Sequence, residues 1–407
     1  MWRIARLECA VQTYAWGSRT ALARLRGEPV PSPTPQAELW IGAHPAAPSH
    51  LVADGRRVSL ADLVSAEPEA VLGPAVAARF GPRLPFLAKL LAAGEPLSIQ
   101  AHPDARQARE GFAREDAQGI ALDSGRRCYR DPFAKPELVC ALEPFEALCG
   151  LRPPGEIREL AQALGAPGLA REVAAALADP APLAALLAAL LRLAPERRAP
   201  LVAEAALAAA GSSDPALAWI PRLHALHPGD PGALAPLFLH HLRLAPGEAV
   251  FLAPGELHGH LEGFVVEVMA SSDNVLRGGL TQKYVDVDAL LRILRCEARA
   301  PQILRPARAG VTRYAAPAEE FALSALELAA GDAFASGPRE GVEILACTRG
   351  ALCVAAEGGA VELRAGEAAL APWAAGEWQV SGDGLLHRVG VPGGAATAAR
   401  SAPTPPL

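Results

Sequence analysis

The stretch LAPGEAVFLAP, Leu244–Pro254, returns near the end of the chain as LRAGEAALAP, Leu363–Pro372, with one residue deleted. Each copy has a turn containing Gly and Glu, a short apolar run and a closing proline. This pattern predicts a turn followed by a short buried strand. Because the copies lie in two strand-rich regions, they indicate a repeated β unit of the kind found in sandwiches and barrels. We predict two jelly-roll barrels.

The residues that follow the two copies differ in their chemistry. The first copy continues as GELHGH, Gly255–His260, whereas the second continues as WAAGEW, Trp373–Trp378, which contains no imidazole. Imidazole is a common metal ligand in proteins. The sequence therefore predicts that only the first barrel binds a metal.

A different composition interrupts the strand-rich pattern between Pro154 and His240. This part is rich in Ala and Leu, with Gly and Pro dividing it, which predicts several short helices. The final GGAATAARSAPTPPL is of low complexity, which is typical of disorder. The expected organisation is a metal-binding catalytic domain from 1–151 and 241–320, a helical insert domain at 152–240, a metal-free C-terminal barrel at 321–391 and a disordered tail at 392–407.

Composition restricts the partners and the compartment. A chain of 407 residues with a formal net charge of -6 and no long basic run argues against a nucleic-acid partner. The start of the chain lacks the pattern of a secretion signal, and the apolar run Leu183–Leu191 is about half the length of a membrane span. Seven cysteines without a CxxC pair fit a reducing compartment. We expect a cytoplasmic monomer without a membrane or nucleic-acid partner.

Metal-ligand chemistry appears at three separate places. In LSIQAHPD, Gln100 and His102 are two residues apart, so a strand would project both to the same face. Glu137 lies in DPFAKPELVC, and His258 lies in APGELHGHLEG. Two imidazoles, one carboxylate and one amide suit zinc or a similar divalent ion. The residues alone leave open that these are polar groups of a sheet surface and a turn.

Several long motifs, in order along the chain, resemble those of the type I mannose-6-phosphate isomerases. They are QTYAWGS, AELWIGAHPAAPS, LPFLAKLLAAGEPLSIQAHPD, YRDPFAKPELVCAL, FEALCGLRP, FLAPGELHGHLEG and VEVMASSDNVLRGGLTQKYVDV, which run from about residue 12 to 287. The resemblance implies a mainly β protein with two cupin-type jelly-roll barrels and an α-helical domain. It also implies one zinc ion per chain and the interconversion of mannose 6-phosphate and fructose 6-phosphate.

The same resemblance assigns roles to individual residues. The implied metal ligands are Gln100, His102, Glu137 and His258. The implied catalytic residues are Arg277, Lys135, Glu267 and Asp273. The implied substrate-binding residues are Lys89, Ser98, Lys283 and His260. The reaction needs a base that moves a proton between C2 and C1 and cations that hold the enediol oxygens and the phosphate. Lys89 in FLAKLLA has a second interpretation, a lysine that snorkels from a strand edge.

The chain departs from the family pattern at two places. Phe133 and Ala134 stand where the family usually has Asn and a polar residue such as His, which leaves the proton-transfer base open. His260 stands where the family usually has Tyr, and His258–His260 imitates the His-x-His of cupin oxygenases and decarboxylases. That class is the alternative enzyme, although Gln100 fits its three-histidine site poorly. A non-catalytic sugar-phosphate-binding regulator is the other alternative. We expect His260 to line the pocket without binding the metal.

Overall fold

The computed structural model describes residues 3–53, 56–307 and 310–393, and within them the protein is mostly β-sheet with helices. The part of the expected tail beyond Gly393 lies outside the described residues. The strands are β1 (Ala5–Glu8), β2 (Ala10–Gln12), β3 (Glu38–Gly42), β4 (His50–Ala53), β5 (Arg56–Ser59), β6 (Phe86–Ala93), β7 (Ile99–Ala101), β8 (Glu137–Ala141), β9 (Phe145–Leu151), β10 (Leu239–Leu244), β11 (Ala249–Leu252), β12 (His258–Ala270), β13 (Leu276–Gly279), β14 (Ile303–Leu304), β15 (Val311–Tyr314), β16 (Ala322–Leu328), β17 (Ala333–Ala335), β18 (Glu343–Ala356), β19 (Gly359–Arg364), β20 (Ala368–Ala371) and β21 (Trp378–Gly390).

The helices are concentrated in the middle of the chain. They are α1 (Ala21–Leu25), α2 (Leu60–Ala66), α3 (Pro68–Leu72), α4 (Pro74–Phe80), α5 (Ala105–Ala117), α6 (Pro154–Ala163), α7 (Pro167–Ala176), α8 (Pro182–Leu191), α9 (Pro195–Ala209), α10 (Trp219–Leu226), α11 (Ala235–Phe238) and α12 (Val287–Ile293), with short 3-10 helices at Pro231–Leu234 and Trp373–Ala375. Helices α6 to α9 each begin with a proline, whose missing N–H is not needed in the first turn. Among the described helices, none combines the length and the apolar character that a bilayer crossing needs.

Within the described residues the strands form two antiparallel sheets. The eleven-stranded sheet has the central order β14-β11-β8-β12-β6-β3-β2, and β7, β9, β10 and β13 extend it. The ten-stranded sheet has the order β15-β16-β21-β18-β20-β1-β4-β5, with β17 and β19 attached. Side chains from both sheets share one core cluster, which includes Leu39, Phe264, Ile344 and Leu370. The two sheets are therefore packed against each other through apolar side chains.

The ten-stranded sheet crosses the expected domain boundary. β1 pairs with β20 so that Ala5 faces Leu370, and β4 pairs with the other edge of β1. The N-terminal strands β1, β4 and β5 therefore complete the C-terminal sheet, although the sequence places them in a domain with residues 241–320. The physical reason is that β19 and β21, which flank β20 in the sequence, both pair with β18 rather than with β20. One edge of β20 would therefore be left unpaired without β1.

Strand β12 carries the site because one glycine lets it change partners. Its first residues pair with β7 and β9, and the residues from Gly263 onward pair with β6 and β8. Gly263 has φ of 126°, and a Cβ there would come within 2.4 Å of the Pro144 carbonyl oxygen. A side chain does not fit at this position. The bend places His258 and Glu267 on the same strand but beside different neighbours.

Candidate metal centre and sugar-phosphate site

Three buried side chains form the centre of the site. Glu137 begins β8, His258 begins β12, and His102 follows β7 directly. One ligand atom from each lies within 4.8 Å of the others. The His102 Nε2 atom is 3.3 Å from Glu137 Oε1, and the His258 Nε2 atom is 3.4 Å from Glu137 Oε2. The fold thus brings together three of the four predicted metal ligands.

Both imidazoles are held so that Nε2 faces Glu137. His102 Nδ1 lies 2.7 Å from the Asn274 carbonyl oxygen, and His258 Nδ1 lies 3.0 Å from the Glu256 carbonyl oxygen. A carbonyl oxygen only accepts, so each Nδ1 carries a proton, and in the neutral form of each ring Nε2 presents a lone pair. This is the outer-shell arrangement that orients metal-binding histidines.

Three atoms of this cluster are buried without a hydrogen-bond partner in the described residues: His102 Nε2, His258 Nε2 and Glu137 Oε2. Leaving buried polar atoms without partners is unfavourable. Burial, together with Lys135, lowers the pKa of His102 to about 4, which keeps the ring neutral. Burial opposes ionisation of Glu137, but His102 and Lys135 hold the pKa of its carboxyl well below the usual range. Burial would lower the pKa of His258, but Glu137 raises it above its ordinary value, so a cation bound here would displace a proton from this ring. The donor set fits a divalent cation.

Gln100 lies beside the cluster through backbone pairing. Its Cα is opposite that of His258 between β7 and β12, and opposite that of Arg277 between β7 and β13. The Ser98 hydroxyl donates to Gln100 Oε1 over 3.5 Å. The central strands therefore hold Gln100 and Ser98 next to both the metal cluster and the strand that carries Arg277.

A buried chain of charges lies next to the metal cluster. Lys89 Nζ contacts Glu267 Oε2 at 3.0 Å and Glu38 Oε1 at 3.3 Å. Burial alone would lower the pKa of Lys89, but Glu267 and Glu38 overcome it and raise the pKa above its ordinary value. Burial would raise the pKa of Glu267, yet Lys89 lowers it to about 2. Lys89 is thus a paired, buried cation, and the snorkelling interpretation is wrong because the side chain is only 10% exposed.

His260 lies beside the metal cluster, with its ring centroid 6.0 Å from that of His258, but its polar contact is with Glu267. Its Nε2 lies 3.3 Å from Glu267 Oε1, and its ring meets Phe145 edge to face with centroids 5.3 Å apart. Among the described residues, the metal-binding cluster contains His102, Glu137 and His258 but not His260. His260 therefore forms part of the buried wall beside Glu267.

The carboxylate of Asp273 is held by a histidine that the sequence did not single out. His44 Nε2 lies 3.2 Å from each Asp273 carboxylate oxygen, and His44 Nδ1 accepts from the Ala46 N–H over 3.2 Å. The Ala46 contact leaves Nε2 as the donor to Asp273. This hydrogen bond lowers the pKa of Asp273. Burial acts in the opposite direction but has a smaller effect. Asp273 is half-exposed and ionised, whereas Glu267 is enclosed.

A second unforeseen group, Asn274, joins two loops behind the site. Its side-chain amide donates to the Asp131 carbonyl, to Asp131 Oδ1 and to the Phe133 carbonyl, and its Oδ1 accepts from the Arg130 and Asp131 N–H groups. Asp131 in turn accepts from the Asp273 N–H at 2.8 Å. The backbone carbonyl of Asn274 is the one that holds His102. This Asn274–Asp131 clip therefore fixes both a cluster histidine and the backbone at Asp273.

The cations on the open side line a cleft of about 450 Å³. Arg277, Lys283 and Arg130 contribute to its wall, and Asp273 is its carboxylate at the edge nearest His44. Burial and the two neighbouring arginines lower the pKa of Lys283. Arg130 was missed because it was one unremarkable arginine in YRDPF. The cleft is a positively charged opening suited to a phosphate group.

Lys135 lies at the junction of the cluster and the cleft side. Its Nζ is 3.1 Å from Glu137 Oε1, and the side chain is buried. Phe133, two residues earlier, is exposed, and the Arg83 guanidinium carbon lies 3.5 Å from the centroid of its ring. Ala134 offers no titratable group. The described site therefore has no imidazole from residues 133 and 134, and the carboxylate that lines the cleft is that of Asp273.

Comparisons with known proteins agree with this geometry. Residues 4–154 match the family model for the phosphomannose isomerase type I catalytic domain. The mannose-6-phosphate isomerase of Escherichia coli (strain K12) is 40% identical over 386 residues, which cover 93% of this chain and 97% of that protein. A mutant phosphomannose isomerase from Salmonella typhimurium superposes with a TM-score of 0.89 at 37% identity, covering 96% of this chain and all of that one.

A zinc-bound mannose 6-phosphate isomerase structure matches over the same 96% of this chain and 100% of that chain, with a TM-score of 0.88 and 37% identity. Similarity at this level extends well beyond the segment that carries the metal cluster. The chain belongs to the type I phosphomannose isomerases, also called mannose-6-phosphate isomerases.

Proposed function

We propose that this chain interconverts mannose 6-phosphate and fructose 6-phosphate with one zinc ion, held by Gln100, His102, Glu137 and His258. The observation that carries the proposal is the set of three orphaned, buried ligand atoms that converge on one point. Membership of the family supports this reaction, and the zinc-bound structure of a relative supports zinc as the metal. When bound, zinc supplies a Lewis acid that polarises a sugar oxygen.

The proton-transfer role is best supported for Asp273. A general base must be ionised and must reach a proton of the substrate. Glu267 is ionised, but its oxygens face Lys89 and His260 inside the protein. Asp273 is ionised, half-exposed and on the cleft wall, with His44 fixing its orientation. We therefore assign to Asp273 the transfer of the proton between C2 and C1. Glu267 is assigned the positioning of Lys89 and His260.

The cations divide by burial. Arg277 and Lys283, with Arg130, lie on the open cleft and are proposed to hold the phosphate and the enediol oxygens. Lys135, next to Glu137, is proposed to stabilise charge near the reacting carbons. Lys89 is already balanced by two carboxylates, so its proposed contribution is to keep the pocket wall in place. Ser98 and His260 are proposed to complete the wall next to the sugar.

We also propose a cupin-type barrel for each sheet. The metal-binding barrel would comprise most of 1–151 and 241–320, the helical insert 152–240, and the metal-free barrel 321–391 together with β1, β4 and β5. The strand order supports this amendment. The seven free thiols support a reducing, cytoplasmic compartment, and the net charge of -6 disfavours a nucleic-acid partner. A monomer without a membrane partner completes the proposal.

The alternative oxygenase or decarboxylase activity requires three histidines on the metal. The position of His260 beside Glu267, outside the cluster, disfavours it. The alternative of a non-catalytic regulator is disfavoured by an ionised, half-exposed carboxylate on the cleft wall. We therefore retain isomerisation as the proposed activity.

A coupled assay tests the proposal directly. Zinc-loaded protein should form fructose 6-phosphate from mannose 6-phosphate, a chelator should abolish turnover, and added zinc should restore it. Metal content should be one zinc per chain. A fully loaded protein that binds mannose 6-phosphate without turnover would favour the regulator, and metal-independent turnover would remove the cluster from the reaction.

A further inference from the structure

A second charged cavity adjoins the cleft that contains Arg277 and Lys283. It has a volume of about 330 Å³, and Tyr284 lines both openings. Three arginines from different elements line it: Arg114 in α5, Arg126 in the loop that follows, and Arg292 in α12. We call it the arginine cavity. None of these three arginines takes part in the proposed isomerase site.

The carboxylates of the arginine cavity are already engaged. Glu115 accepts from the N–H groups of Cys128 and Tyr129 and contacts Arg127 Nε at 3.2 Å. Asp286 accepts from the Ala289 N–H at 2.8 Å as the cap of α12. Each of the two carboxylates therefore has a structural role of its own.

The three guanidinium groups have no carboxylate partner in the described residues, although Arg114 also forms a hydrogen bond with the Tyr129 side chain. Arg114 lies over the Tyr129 ring at 5.5 Å and Arg126 over the Tyr284 ring at 5.2 Å. In the part of the chain that the structure describes, no carboxylate forms an ion pair with Arg114, Arg126 or Arg292. Three like charges around one cavity repel each other. Glu115 is paired with Arg127, so Asp286 is the one carboxylate left to offset three arginines, and the lining keeps a net positive charge.

We propose that the arginine cavity is a second anion site, which binds a phosphate-bearing metabolite. Guanidinium groups arranged around a polar cavity match the several oxygens of a phosphate better than they match a single carboxylate. Two sources present this chemistry, a second molecule of sugar phosphate and the diphosphate of a nucleotide. The substrate phosphate is not the occupant, because the neighbouring cleft has its own cations.

The shared Tyr284 gives this site a consequence for catalysis. An anion in the arginine cavity lies across that ring from Lys283 and Arg277, so its negative charge opposes the attraction of the cleft for the substrate phosphate. Occupancy should therefore raise the KM for mannose 6-phosphate and leave kcat almost unchanged. The cavity would act as a sensor of phosphate-bearing metabolites.

Counting bound phosphate tests the proposal. Equilibrium dialysis of zinc-loaded full-length protein with radiolabelled inorganic phosphate should give two phosphates per chain in the wild type. The count should fall to one in the double variant Arg114→Gln, Arg292→Gln, and also to one in Arg277→Ala. The control Arg109→Gln removes an exposed arginine of α5 that does not line the cavity, and it should retain two.

One phosphate per chain in the wild type, or two that persist in the double variant, would overturn the proposal. The count needs no turnover, so it is independent of whether the chain proves to be an isomerase. Competition then identifies the source: displacement of the phosphate that remains in Arg277→Ala by excess mannose 6-phosphate indicates a sugar phosphate, and displacement by ADP indicates a nucleotide. Retention against both would overturn the assignment to a metabolite.

Discussion

The two copies of the repeated unit lead into strands of equal length that begin very differently. The first leads into β12, which starts at His258, and the second leads into β21, which starts at Trp378; each strand has 13 residues. His258 Nε2 is buried without a partner, whereas Trp378 Nε1 donates to Glu343 Oε2 at 2.7 Å. Arg388 covers the other oxygen of Glu343. The same repeated unit therefore leads either to a side chain that is available to a metal ion or to one that is hydrogen-bonded within the protein.

The comparison shows which feature of the side chains identifies a metal site. Both places contain a buried glutamate at the start of a strand, Glu137 in β8 and Glu343 in β18. Only the polar groups around Glu343 are fully paired within the chain. Unpaired polar atoms around a buried carboxylate, more than the carboxylate itself, mark the sheet that carries the proposed metal site.

Removing His258 should break the comparison most severely. We expect His258→Ala to lower zinc affinity by at least about 100-fold, with turnover falling in proportion to the zinc lost, because one of the two proposed imidazole ligands is gone. Metal analysis and the coupled assay measure both effects. The matched variant Trp378→Phe should keep zinc and turnover but lose about 1–3 kcal/mol of unfolding free energy, since Glu343 loses a buried donor. Normal zinc content in folded His258→Ala would refute the assignment.

Removing the Asn274 side chain should weaken metal binding at the cluster of His102, Glu137 and His258 without affecting the region around Glu343. We expect Asn274→Ala to lower zinc affinity by about 10- to 100-fold, because the backbone carbonyl that orients His102 would no longer be fixed by the clip. Competition with a chromophoric chelator measures the affinity at a temperature where the variant is folded. Trp378→Phe again serves as the control for general destabilisation. Equal zinc affinities in wild type and Asn274→Ala would show that the clip is only structural.

Replacement by lysine should affect catalysis at Arg277 but not at Arg388. Arg277 lies on the open cleft, whereas Arg388 is paired with Glu343. We expect Arg277→Lys to retain zinc but lose about tenfold in kcat/KM, or about 1.4 kcal/mol, since an ammonium cannot reproduce the forked contact. Arg388→Lys should leave kcat/KM unchanged. Wild-type kinetics in Arg277→Lys would exclude Arg277 from the substrate site.

The smallest effect is expected at His260, the second histidine of GELHGH. His260→Tyr should retain one zinc per chain and most of its isomerase activity, with changes confined mainly to KM or the pH profile, because His260 contacts Glu267 rather than the cluster. Inductively coupled plasma metal analysis together with full kinetics provides the check. Loss of zinc from folded protein would make His260 a ligand and revive the three-histidine alternative.

The sequence alone supplied the donor types of the site but not their orientation. His102, Glu137 and His258 were recognised because their chemistry suits zinc. His44 and Asn274 were not, because a histidine in a turn or a buried asparagine gains its role from partners that are 229 and 143 residues away in the chain. Such contacts leave no local pattern in the sequence.

The fold shows the same limit. Apolar runs and turn residues identified the strands around the repeat, and Ala and Leu composition identified the helices of the middle segment. Helix α5 was missed, although its capping box of Asp104 and Gln107 was readable in the sequence. The pairing of β1 with β20 was not readable, because backbone hydrogen bonds between strands do not depend on side-chain identity.

The pairing of Ala5 with Leu370 also constrains how the protein is made. During synthesis the N-terminal strand leaves the ribosome first, and β20 emerges only after most of the chain has been translated. Until then β1 presents an open edge, which is the kind of surface that pairs with other chains. Contacts of such sequence separation also form slowly. A chain stopped near residue 320 should therefore contain every proposed metal ligand and still aggregate, because β1 would keep β4 on one edge and have no β20 to cover the other.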